Sequence, residues 1–600
     1  MYLTFKNNDE TFLFEKINFK DFFLYYKIEE KEIFFENETL CLFLKTNYSE
    51  NYINSVLSNQ EDVTIEIIEK SFEKDGVWII INKKDKKIRL GRDLSGLGTI
   101  YFHIEENNSV HISTNVHDIA HKKSKCLNSE AVYQLLYFDY LWDGQTIYEN
   151  IDQLKIGGRL EIEKDFKTLS YNFSQPEIIE DENNLTEEEN IRQLRQEIVK
   201  AHKKYVNNHN VVFLSGGIDS VAMLIAIDDI TDKSSIENHS FKVKGTTQDE
   251  TVYAKSIADH LNVKLSIIER DLSSEINEEV FRENIFKMNN PYPGMWIFGN
   301  QVSSDSYRTY FAGQDTRLHT PALNWLDSIA FSIFIISKKG LKPLFSIIDI
   351  LLFPLQKLFD TLHKRKQTPN KIFLGLKRTL YLFNIKKYLK LVYFKVDPAN
   401  LQAYGLPTEG FKDVFEKYDL NLKKIKNKRT LYNKVVSKKW IEQYVNDMRY
   451  MIDMVDLQGG KLAMPFYDMN LANFSATIPF NLSIKTMKGK SQFGDENSVI
   501  NKYVLREALV DKIDKKTYLR SKAVSRTGHL IFNQGLDIIL RSIIKQDIGT
   551  SDSFVKEYKL ESFLKRFLTN EDEWIMTDDK YLLKVYYTCC LICYQNHLKS

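Results

Sequence analysis

Residues 211–224 read VVFLSGGIDSVAML. Four apolar residues run into two glycines, an Asp framed by serines follows, and a second apolar run begins at once. A run of four apolar residues without alternation is a strand buried on both faces, as in a parallel sheet covered by helices. The second run then reads as a buried helix, and the polar loop lies at the carboxyl end of the strand. Gly216 and Gly217 permit unusual backbone angles and close approach of another group to the main chain. The helix that follows presents unpaired N–H groups and the positive end of its dipole. Strand, glycine loop and helix start together make an anion site, most often for phosphate. Ser215 and Ser220 add hydroxyl donors. Asp219 would repel a bare anion, and its presence makes sense if Mg2+ lies between carboxylate and phosphate oxygens. The GKS at 489–491 is no competing phosphate loop, because Ile484 stands where that loop needs its first Gly.

Six hundred residues exceed what one core supports, so several domains are expected. With 43% apolar and 27% charged residues the chain is not globally disordered. A net charge of +1 gives no global nucleic-acid signature, and nucleic acid is an unlikely partner on that ground. The five cysteines, at 41, 126, 589, 590 and 593, fit neither a disulfide framework nor a paired zinc motif. They read as reduced thiols and a cytoplasmic setting. The first ten residues have no apolar signal core. The longest uncharged apolar run, SIAFSIFIIS (328–337), is too short to span a bilayer.

Residues 1–173 read as β-rich, with strands expected at VTIEIIE (63–69) and VWIIIN (77–82) and a turn-linked strand pair at 87–102. The segment 174–190 carries seven acidic residues and reads as an exposed connection. Thr186 and Glu189 form a capping box, which opens a second domain at residue 186. Beyond it, strand-like SFKV (240–243), helical 251–261 and strand-like KLSIIE (264–269) alternate as in an α/β parallel sheet. Between Lys338 and Lys395 stand 14 Lys/Arg against Asp349 and Asp360, a local charge of +12, with apolar residues at helical spacing. A basic helical insertion at 326–440 follows from that.

SGGIDS resembles the pyrophosphate loop of the PP-loop ATP pyrophosphatases. Four further stretches are similar to the asparagine synthetase, β-lactam synthetase and lasso-peptide cyclase superfamily: 75–102 around GRDLSGLG, 129–162, AMPFYDMNLANFSATIP (463–479), and KYVLREALVDKIDKKTYLRSKAVSRTG (502–528). The likeness runs over roughly 75–530 and omits the basic insertion. It implies an amidotransferase-like α+β sandwich domain at 1–173, then a parallel-sheet α/β synthetase domain at 186–600. It also implies ATP and Mg2+, with adenylation of a substrate carboxylate and capture of the acyl group by an amine. Asp219 and Asp315 match the family's two Mg2+ carboxylates, and Gly313 the glycine before the second. Lys522 matches the lysine at the α-phosphate. Leu214 and Val243 match backbone positions that receive adenine.

Two departures stand out. Glutamine-dependent members use a cysteine at residue 2, where this chain has Tyr2, so glutaminase chemistry is not expected. Ala312 stands where the family keeps a Glu or Tyr that assists proton transfer, and His319 is the substitute candidate, with Arg317 beside it for substrate binding. Loss of the glutaminase cysteine with Asp219, Asp315 and Lys522 kept is the pattern of the cyclising branches, so lactam or macrocycle formation is expected. Plain amidation with free ammonia and a non-catalytic scaffold remain as alternatives. The basic insertion suits an acidic precursor peptide or carrier, an anionic membrane surface, nucleic acid, or a solvated helical subdomain.

Overall fold

The computed structural model describes residues 2–6, 15–19, 22–27, 32–57, 63–106, 109–124, 126–163, 169–173, 180–244, 249–289, 308–312, 325–365, 371–392, 401–402, 404–407, 421–487, 498–520, 532–569 and 578–599. Among the described residues, twelve strands precede residue 174: β1 Tyr2–Lys6, β2 Glu15–Phe19, β3 Phe22–Lys27, β4 Ile33–Glu36, β5 Leu40–Lys45, β6 Val77–Asn82, β7 Ile88–Arg92, β8 Tyr101–Ile104, β9 Val110–Ser113, β10 Asp152–Gln153, β11 Gly158–Ile162 and β12 Leu169–Phe173. They form two antiparallel sheets, ordered β10-β8-β9-β1-β3-β2 and β12-β11-β7-β6-β5-β4.

The alternation of strand side chains explains how these sheets are buried. In β6, Ile79 and Ile81 pack with Leu3, Leu24 and Ile112 of the opposing sheet. Trp78 and Ile80 point the other way, into a core shared with Leu194, Ile198 and Tyr205. Both faces of β6 are therefore covered, which accounts for its unbroken apolar run. The apolar 63–69 stretch departs from the strand expected there: Ile65–Phe72 is a helix, capped by Thr64, whose hydroxyl accepts from the Ile67 amide at 3.3 Å. Ile68 and Phe72, four residues apart, supply its buried face. Likewise β7 and β8, read as a linked pair, lie in opposite sheets.

The helix Glu187–Lys203 begins with the Thr186–Glu189 capping box. Among the described residues five parallel strands follow: β13 Asn210–Phe213, β14 Ile236–Val243, β15 Leu265–Arg270, β16 Thr309–Phe311 and β17 Lys461–Ala463. Their spatial order is β15-β14-β13-β16-β17. On one face Val212, Phe311 and Ala463 pack with the helices Glu187–Lys203 and Ile218–Asp228. On the other, Val211, Tyr310 and Leu462 meet the helix Val445–Leu457 and the C-terminal helix Asp579–Lys599. The molecule is thus an antiparallel β sandwich followed by a parallel, doubly covered α/β sheet. The chain moves outward from β13 through β15, then returns to start again at β16, so the strand order reverses between β13 and β16. Ligands of open α/β sheets sit outside the carboxyl ends of the strands at that reversal.

Candidate functional site

The loop Leu214–Gly217 leaves β13 at the point of reversal, and the helix Ile218–Asp228 starts from it. Gly216 has φ +71°, which an L side chain adopts only under strain. A Cβ there would also lie 2.7 Å from Tyr253 Cβ and 2.8 Å from the Ala254 amide nitrogen. The loop is braced from within: the Ser215 amide donates to Ser220 Oγ at 3.2 Å, the Gly217 amide to Ser215 Oγ at 3.3 Å, and Ser220 Oγ to the Gly217 carbonyl at 3.0 Å. Gly217 is the helix N-cap and makes no side-chain capping bond.

Leu214 and Val243 sit at the carboxyl ends of neighbouring strands with buried side chains, so their backbone is what they can show a bound base. The Leu214 amide already donates to the His239 carbonyl at 2.8 Å. Ala312, at the end of β16, is buried and donates its amide to the Ala463 carbonyl at 3.2 Å. Gly313, Asp315, Arg317, His319 and Lys522 lie outside the described residues.

Two cations from the C-terminal part of the chain, Lys502 and Arg520, converge on the loop and its helix, with Arg506 behind them. Lys502 Nζ bonds both carboxylate oxygens of Asp219, at 2.6 and 2.7 Å, and both residues are buried. Arg520 Nη1 donates to the Ser215 carbonyl at 3.4 Å, and its guanidinium stacks 3.7 Å over the Tyr253 ring. Glu250 stands 3.8 Å from Arg520, and its neighbour Asp249 accepts from the Thr251 amide at 3.0 Å. Asp249 thus braces the start of the helix Thr251–Leu261 and pairs with Lys242 at 3.2 Å, while Glu250 faces the arginine. Arg506 is the strut behind them. It donates to the carbonyls of Asn501 (2.8 Å), Thr517 (3.3 Å), Tyr518 and Arg520 (2.9 Å). Burial lowers its pKa, and the Asp219 charge opposes that shift. Only guanidinium has enough rigidly arranged donors for this. Arg506 therefore fixes both the strand end that carries Lys502 and the segment that leads to Lys522.

Lys502 is the residue that sequence reasoning missed. It opens the K-x-x-L-R element, met here by Lys502, Leu505 and Arg506, and that motif was the available signal. Asp468, in the 463–479 stretch, has a structural place: it caps the helix Met469–Thr477 and pairs with Lys204 at 2.9 Å.

The donor set is suited to a polyphosphate. It has loop amides, two hydroxyls, a helix start and the cations Lys502 and Arg520. Asp219 supplies a carboxylate of the kind Mg2+–phosphate sites use, and in this structure its charge is balanced by Lys502. Among the described residues no group of three or more His, Cys, Asp or Glu side chains is placed to hold a metal.

The sheet and its loop define an α/β protein with a glycine loop and a helix start at the strand-order reversal. Residues 191–313 match the family model described as asparagine synthase, so the chain carries a domain of that family there. Asparagine-synthase domains couple ATP to amide-bond formation. No curated protein matches the chain. Among solved structures, glutamine phosphoribosylpyrophosphate amidotransferase from B. subtilis, complexed with ADP and GMP, is 10% identical with a TM-score of 0.17. The alignment covers 50% of this chain and 62% of that one, so less than two thirds of its length is spanned.

Proposed function

We propose that the protein is an ATP-dependent carbon–nitrogen ligase that adenylates a substrate carboxylate and passes the acyl group to an amine. The observation that carries this is the buried Asp219–Lys502 pair beside the Ser215–Ser220 loop at the strand-order reversal. ATP supplies the activation: a carboxylate oxygen bonds to the α-phosphorus, the bond to the bridging oxygen breaks, and its electron pair leaves with pyrophosphate. The loop amides and the helix start hold the departing phosphates and offset the charge that gathers there. Asp219 would hold Mg2+ with Asp315, and the ion would add charge neutralisation. Lys502, released from Asp219, would then face phosphate oxygen. Lys522 takes the α-phosphate in this reading. The amine nitrogen then attacks the acyl carbon, AMP leaves with the bonding pair, and the amine proton passes to a base, for which His319 is the candidate.

The thiols support a ligase without glutaminase activity. All five cysteines are free. Burial pushes Cys41 and Cys593 up to about 12, a bond to Glu149 pushes Cys126 up to about 11, and burial holds Cys589 and Cys590 well above the usual range. Nucleophilic cysteines are shifted the other way. Tyr2 sits inside a sheet, its hydroxyl 3.0 Å from His111 Nδ1. The amine is therefore one carried by the substrate, giving a lactam or macrocycle, or free ammonia. Reduced thiols suit the cytoplasm.

Exchange of radiolabelled pyrophosphate into ATP, driven by candidate carboxylates, tests the reading. Carboxylate-dependent exchange that Asp219→Ala abolishes is expected. ATP binding unchanged in that variant, with no exchange for any carboxylate, overturns it. Product formed only on adding ammonium would assign the amine as ammonia.

A further inference from the structure

The helix Lys342–Arg365 leaves an aliphatic side uncovered. Two of its polar side chains, Asp349 and Gln356, face the protein instead. Gln356, 2% exposed, donates to Asp349 Oδ1 at 3.0 Å and to the Leu380 carbonyl at 3.1 Å. Asn384 Nδ2 donates to Asp349 Oδ2 at 2.9 Å, and Lys387 Nζ to Gln356 Oε1 at 3.2 Å. These bonds tie one side of the helix to the segment Leu380–Lys387. The opposite side is aliphatic and open: Leu344, Ile347, Leu351, Leu355 and Leu358 recur at three- and four-residue spacing, and Leu351 is 72% exposed. Ile350 broadens the stripe. Ten of the twenty large hydrophobic residues exposed among the described residues fall between Ile336 and Leu376. From Leu344 to Leu358 the stripe runs about 21 Å at the helical rise.

Charge accompanies it. The stretch 338–395 carries 14 Lys/Arg against two acids, and one of those, Asp349, is turned inward onto Asn384 and Lys387. Lys339 and Lys342 lie exposed before the stripe, and Lys357 lies exposed near its end. A protein partner would be gripped by aromatic and arginine anchors in defined pockets, and leucine is under-represented in such anchors. A smooth Leu/Ile band with lysines near its ends makes no such directional demand. It matches liquid hydrocarbon beneath anionic headgroups. No described helix is long and apolar enough to cross a membrane.

We propose that the helix Lys342–Arg365 seats the protein on the surface of an anionic lipid bilayer, lying in the plane of the interface with Leu344, Ile347, Leu351, Leu355 and Leu358 among the acyl chains. This rests on the helix alone and is independent of the ligase reading. The test is flotation of the full chain with vesicles of phosphatidylcholine alone and with roughly one third phosphatidylglycerol. The wild type floats with the anionic vesicles and is released by salt. The double variant Ile347→Glu, Leu351→Glu, at exposed sites, keeps the wild-type urea midpoint and loses about tenfold or more in partitioning. Lys339→Glu with Lys342→Glu loses anionic preference only. Three outcomes overturn the proposal. One is no flotation of the wild type, another is equal flotation of the Glu double variant. The third is no vesicle binding together with a dimer, or a polyglutamate-peptide complex, that the double variant abolishes; that would assign the stripe to a second copy or to an acidic protein.

Discussion

Two turns in this molecule have nearly the same letters and opposite constructions. Asp93-Leu-Ser-Gly-Leu-Gly98 and Ser215-Gly-Gly-Ile-Asp-Ser220 each bring one Asp, a Ser and two glycines together, and each has a left-handed glycine, Gly96 at φ +76° and Gly216 at φ +71°. In the first, the carboxylate is saturated locally: Asp93 accepts from Ser95 Oγ and from the amides of Gly76 (3.3 Å), Gly96 (2.7 Å) and Gly98 (3.2 Å). Trp440 Nε1 and Arg449 then take the carbonyls of Ser95 and Leu97, locking the sandwich against the helical body. In the second, Asp219 is met by Lys502, 283 residues away in sequence. The first turn keeps its donors for its own acid. The second directs its acid to a distant cation and leaves a helix start without a side-chain cap. The first is a joint between parts of the fold, and the second is the turn on which the proposed ligase reading depends.

The largest expected effect separates the two acids by function. Asp219→Ala lowers pyrophosphate exchange about a thousandfold or more, as loss of preorganised charge at a reacting phosphate does. Exchange that survives would reduce the second turn to another joint. Asp93→Ala strands three amides and a hydroxyl in the interior and costs about 3–5 kcal/mol in urea unfolding, with exchange per folded molecule unchanged.

A pH effect follows next. Asp75 lies beside the first turn, and Tyr205 donates to its Oδ2 at 3.0 Å across the junction with the α/β part. Burial and the charge of Asp93 push it up to about 7 from 3.8. The fold therefore binds this proton more tightly than the unfolded chain does. Its stabilisation is complete below the unfolded value and is lost as pH rises through about 7. Asp75→Asn flattens that decline by about 3 kcal/mol between roughly pH 4 and pH 7, read from urea midpoints. The smallest effects test the glycines. Gly96→Ala and Gly216→Ala each cost about 1–2 kcal/mol for the left-handed residue and its crowding. Only Gly216→Ala, which presses on Arg520 and the Ala254 amide, also lowers exchange, by about tenfold.

Much of this was legible in the chain. The buried strand, the glycine loop, the helix after it and the capping box at Thr186 all follow from local rules and stand where those rules put them. What failed was non-local. VTIEIIE has strand composition, yet the Thr64 cap and the Ile68–Phe72 face made it helical, because the apolar surface it meets lies on other elements. The pairing of Lys502 with Asp219 needed the fold to bring two distant segments together. Helical periodicity at 344–366 showed that one face is apolar; it carried no information on whether that face points inward, and here hydrogen bonds to Asp349 and Gln356 turn it out.

The parallel sheet closes with β17 lying directly beside β16, although residues 312–460 separate them in the chain. A single crossover therefore holds the exposed helix, its lysines and the helical body behind it, while the Ser215–Ser220 loop sits on the other side of β16. In design terms only the middle of this crossover is open to rewriting, because Trp440 and Arg449 near its end bond the Ser95 and Leu97 carbonyls and Val445–Leu457 covers the sheet. The exposed helix Lys342–Arg365 thus lies between segments that hold the fold together, where its outer side chains can be exchanged one by one without moving a strand.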